Sequence, residues 1–80
     1  MESKVIFKVS KQGELFAVLL WTKKDSTFTC YSLYDATHFD ADSIYLRECK
    51  NAHGYNVNEL CAYLKARGYE NINVKQRMKY

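Results

Sequence analysis

Eighty residues exclude two independent cores: a chain of this length buries only about 60 to 65 % of the surface its unfolded form exposes. With 48 % hydrophobic and 15 % aromatic residues, three glycines and no proline, a disordered chain is also excluded. A net charge of +3 is small for a dedicated nucleic-acid binder, and the longest apolar run, LFAVLLW, has seven residues where a membrane span needs roughly 20.

In chain order, KVIFKVS at 4–10 alternates, with Val5, Phe7 and Val9 on one face and Lys4, Lys8 and Ser10 on the other; it reads as a half-buried strand. KQGE supplies a turn, and ELFAVLLWT at 14–22 is apolar on both faces, the pattern of a central strand covered on two sides. TKKDS forms the next turn, and TFTCYSLY at 27–34 is β-branched and aromatic enough for a third strand. In the stretch after it, SIYLREC reads as an edge strand in preference to a short helical turn.

The helix carries the most explicit signals. Asn56 fits an N-cap, Glu59 completes a capping box, and Tyr55 and Leu60 sit at hydrophobic-staple positions. Val57, Leu60, Cys61 and Leu64 form one apolar stripe, Lys65 and Arg67 lie in the last turn, and Gly68 is the left-handed stop. Tyr69 is placed to close a Schellman motif on Leu64. NINVKQRMKY then alternates Ile72, Val74 and Met78 with a basic set, Lys75, Arg77 and Lys79. The expectation is a single α+β domain over 1–80: a small two-layer sandwich of one main helix on an antiparallel three- to five-stranded sheet, in the order β-β-β-(β)-α-β.

Cys30, Cys49 and Cys61 are odd in number and lack C-x-x-C spacing; with no long apolar run at the start, they predict a reducing, cytoplasmic setting. Cys30 in mid-strand and Cys61 on the helix stripe read as inert core.

His38, Asp40 and Asp42 lie two residues apart, so on an extended chain they would share a face. As metal ligands, with His53 a distant fourth, they would suit zinc or iron. The commoner use of such aspartates is to bond nearby backbone N–H groups, so a polar turn is the expectation, with no metal, no cofactor and no catalytic residue.

Seven tyrosines exceed what one small core can bury, and exposed tyrosines beside charges are typical of protein contact surfaces. The expected partner-binding residues are Tyr31, Tyr34, His38, Asp40, Tyr45 and Arg47. The expected function is a non-enzymatic adaptor or inhibitor that binds another protein, of a kind phages and mobile elements use to block a host defence factor. The alternative, from another class, is nucleic-acid binding by the basic face of Lys75, Arg77 and Lys79, through phosphate contacts. No membrane partner is expected, and unpaired edge strands would allow a homodimer.

The chain also resembles a group of small uncharacterised bacterial proteins with a C-Y-x-H-x-G-Q-H-S-like motif and a C-terminal A-x4-Y-x2-L-x3-L-x3-G-Y helix and strand. Cys30, Tyr31 and His38 answer the first motif, and Ala52, Leu60, Leu64, Gly68 and Tyr69 the second. Ala36-Thr37 stands for its Gly-Gln, Leu33 for its first histidine and Val57 for the helix tyrosine. The group has no established activity, so the resemblance implies topology alone.

Overall fold

The computed structural model describes residues 3–33, 37–52, 57–75 and 77. Its α+β architecture is a mixed sheet of six strands among those residues: β1 (Ser3–Val9), β2 (Leu15–Leu19), β3 (Thr27–Ser32), β4 (Thr37–Asp42), β5 (Lys50–Asn51) and β6 (Ile72–Val74). Two helices accompany it, α1 (Ser43–Glu48) and α2 (Val57–Ala66). The spatial order is β4-β3-β2-β1-β5, with β6 also on β1. β1 shares its second edge between two partners: Lys8 and Val9 pair antiparallel with β5, while Ser3 to Val5 pair parallel with β6.

Alternation sorts the side chains. Val5, Phe7, Ala17, Leu19 and Tyr31 face Leu60 and Leu64 of α2. Ile6, Phe16, Val18, Phe28, Cys30 and Ala41 face Leu46 of α1 and Cys49. Both faces of the sheet are therefore covered, as the two-sided apolarity of residues 15–20 requires. Each large apolar side chain taken from water contributes roughly 1.5–3 kcal/mol as an upper estimate. Docking of Leu60 and Leu64, both buried, therefore matters more to α2 than helix propensity does.

Local chemistry sets the boundaries. Glu14 O accepts from Ser10 N, and Gly13, at φ 84°, donates its N–H to Ser10 O; a side chain at that φ would be strained. β2 stops at Leu19 because the Thr22 hydroxyl donates to Leu19 O at 2.6 Å and accepts from Thr29 N at 2.9 Å, closing a 3-10 turn over Leu20–Thr22. The turn to β3 pairs Lys24 with Thr27 through two backbone bonds, with Asp25 at φ 58°. α2 ends as expected. Gly68 N bonds Lys65 O and Tyr69 N bonds Leu64 O, the two bonds of a Schellman motif, with Gly68 at φ 97°. The expected N-cap Asn56 and staple residue Tyr55 lie outside the described residues.

The expected antiparallel sheet of three to five strands is, among the described residues, a mixed sheet of six, because β6 joins β1 parallel, and three further expectations are corrected. Residues 37–42 form β4, not a polar turn, because Phe39 and Ala41 alternate with the polar residues and pack on the α1 side. The optional strand is therefore β4, and SIYLREC is helical: Asp42 Oδ1 accepts from Tyr45 N at 2.8 Å and caps α1. Third, the last strand ends at Val74, so Lys75 and Arg77 follow it.

Candidate functional site

Four aromatic side chains line up on the α2 side of the sheet. The 3-10 turn lifts Trp21 out of the strand plane, leaving it 47 % exposed. Its ring lies 6.0 Å from that of Tyr69, which the Schellman turn positions. The Tyr69 hydroxyl is 2.6 Å from His38 Nε2, and the His38 ring meets Tyr31 edge-on at 5.0 Å. Burial, and secondarily the neighbouring Tyr31 phenol, raises the Tyr69 pKa. The Tyr69 hydroxyl donates to Nε2 when that nitrogen is bare and accepts from it when it carries the proton, so either histidine tautomer satisfies the contact.

Beside this row opens a depression of about 350 Å3 lined by Thr22, Lys24, Asp25, Thr27, Thr29 and Asp40. Thr29 donates its hydroxyl to Asp40 Oδ1 at 3.2 Å. Thr22 follows Trp21 in the chain, and Asp40 stands two residues along β4 from His38, on the same face of the strand. Together they offer ring faces, hydroxyls and two carboxylates against one lysine, a surface able to hold amide, hydroxyl and cationic groups of a partner.

The expected contact residues do not converge. Tyr31 is 2 % exposed; it lies under the α2 layer as a floor for His38 and cannot meet a partner. His38 and Asp40 belong to the aromatic side. Tyr45 and Arg47, on α1, belong to the opposite side, where Tyr45 packs near Phe16 at 6.4 Å. Tyr34 lies outside the described residues. Of the basic set, Lys75 is half-buried with its N–H on Val5 O, Arg77 is exposed, and Lys79 lies outside the described residues. Lys8, a neighbour the basic face would have used, is 4 % exposed, its ammonium held by Cys49 O and Asn51 Oδ1.

His38, Asp40 and Asp42 do share one face of β4, but each has its own partner: Tyr69, Thr29 and the α1 cap. Among the described residues no three His, Cys, Asp or Glu side chains converge as a metal ion requires. His53 lies outside them. The Cys30 thiol is fully buried and pushed up to about 12, by burial first and then by Asp40 and Cys49. It is no nucleophile at neutral pH. Cys61 is half-exposed rather than buried.

Sequence reasoning missed Trp21, which it placed on the covered face of a nine-residue strand. The available signal was Thr22, a hydroxyl residue able to take over backbone partners where the ladder stops. Among the described residues no helix is long and apolar enough to cross a membrane. No protein-family model, curated protein or solved structure matches the chain.

Proposed function

We propose that this chain is a small non-enzymatic protein-binding domain, an adaptor or inhibitor acting in the cytoplasm, whose contact surface is centred on Trp21, Tyr69 and His38. The exposure of Trp21 carries the reading: in an 80-residue chain with one tryptophan, that side chain is half in solvent and braced by Tyr69 instead of filling either core. Tryptophan and tyrosine dominate binding hot spots because they bring large area at low entropic cost. The adjoining threonine and carboxylate depression supplies the polar rim such a contact needs. An inhibitor of a host defence factor, carried by a phage or another mobile element, suits this size and this lack of convergent catalytic groups among the described residues.

The test is Trp21→Ala in the full chain, with partner affinity measured by titration and folding by circular dichroism. Affinity should fall at least tenfold with the spectrum retained in the far ultraviolet. Unchanged affinity would overturn the reading. Oligonucleotide binding whose affinity falls with salt by several ions would favour the nucleic-acid alternative through Lys75 and Arg77.

A further inference from the structure

We propose that the outer edge of β4 accepts an extended segment of a partner protein, added antiparallel as a further strand, with basic side chains at alternate positions. The proposal rests on the protein-binding reading above and names the chemistry of the partner.

β4 ends the sheet, and among the described residues nothing pairs with its outer side. The phase of its ladder follows from one bond. Ser43 N donates to Ser26 O at 2.7 Å, one step beyond the Thr27–Asp42 pair in the β3–β4 register. Hydrogen-bonded pairs alternate along antiparallel strands, so Ala41, Phe39 and Thr37 direct their N–H and C=O groups to β3. His38 and Asp40 direct theirs outward. Each offers one donor and one acceptor, enough for four main-chain bonds to an incoming strand.

Side chains decide what that strand must be. Residues opposite His38 and Asp40 would project on the same side as those two, beside Asp40 and diagonally near Asp42. That position favours lysine or arginine. The intervening residues would project on the other side, toward half-buried Phe39 and the adjoining Tyr45, which is 40 % exposed, and favour apolar groups. Exposed edges are usually guarded by lysine, proline or a bulge; Thr37 to Asp42 contain neither lysine nor proline, and all six pair with β3 without interruption. The guard here is acidic. It opposes a second copy pairing β4 with β4, which would set Asp40 and Asp42 against the same row, but not a basic strand.

The test uses the full chain, 15N-labelled, titrated with the capped peptide KVKVKV and, as comparators, KKKVVV of equal charge and EVEVEV. KVKVKV should shift the His38 and Asp40 amide resonances and slow their exchange. It should bind at least fivefold tighter than KKKVVV, EVEVEV should not bind, and Asp40→Asn should weaken KVKVKV at least threefold. Equal binding of KVKVKV and KKKVVV, or shifts that leave His38 and Asp40 unmoved, would overturn strand addition. So would a doubling of mass on sedimentation without peptide that Asp40→Lys abolishes, since the edge would then belong to a second copy. Partner binding lost in Trp21→Ala but untouched by Asp40→Asn would overturn strand addition and keep the aromatic surface. Binding lost in Asp40→Asn alone would do the reverse.

Discussion

His38 of β4 and Tyr69 beyond α2 are 31 residues apart, yet their side chains meet at 2.6 Å, tying the outermost strand to the stop of the main helix. The bond is exposed, so its net worth is small. Tyr69→Phe keeps the ring against Trp21 and removes only the hydroxyl. It should cost at most about 1 kcal/mol in urea unfolding, while changing the His38 ring signals in a proton spectrum.

Gly68 sits at φ 97° with nothing within 4 Å of where a Cβ would stand. The obstacle to a side chain is therefore backbone strain and not crowding. Gly68→Ala should destabilise by about 1 kcal/mol or slightly more, seen as a lower urea midpoint with unchanged slope. Because the strain would fall on the turn that places Tyr69, the emission of Trp21 should change as well.

Lys8 is buried, and its ammonium donates to Asn51 Oδ1 at 3.1 Å and Cys49 O at 3.4 Å, joining β1 to β5 and the end of α1. Lys8→Met keeps the stem and should cost about 1 kcal/mol. Lys8→Ala removes the packing as well and should cost about 2–3 kcal/mol by thermal or urea unfolding. Equal losses would show that the charge, and not the stem, is what matters.

Asp42 ends β4 and caps α1 through Tyr45 N. Asp42→Ala should cost about 1 kcal/mol, and Asp42→Asn, which keeps an acceptor oxygen, much less. The difference between the two variants in urea midpoint isolates the cap from the charge.

The thiols predict their own order of reaction. Burial raises the pKa of Cys30, to about 12, and also those of Cys49 and Cys61, Lys65 partly offsetting it at Cys61. At pH 8 alkylation should mark half-exposed Cys61 first and leave Cys30 unmodified, as read by peptide mass. Cys30 holds its proton more tightly folded than unfolded. Its contribution to stability is therefore whole below pH 9, the unfolded value, and is lost progressively as pH rises toward 12. Cys30→Ser should flatten that alkaline decline.

The helix, its stop and the three-stranded meander were legible because their causes are local. The spacing of Leu60 and Leu64, the glycine at 68 and the turn residues around Gly13 and Asp25 each act within a few positions of themselves. The two-sided apolarity of residues 15–20 also announced cover on both faces, though not which segment supplies it.

Pairings between segments distant in sequence were settled only in the folded molecule. Thr37 to Asp42 read as a polar turn, and only pairing with β3, which sets Phe39 against Phe16, made it a strand. SIYLREC became a helix because Asp42 capped it and Leu46 found the second core. Trp21 left the sheet because the Thr22 hydroxyl took the N–H of Thr29 from the neighbouring strand. Which elements can form follows from the order of residues alone, since propensity, caps and period are properties of neighbours. Which side chains remained outside, and so which surface is left to meet a partner, depended on long-range competition for a small buried volume.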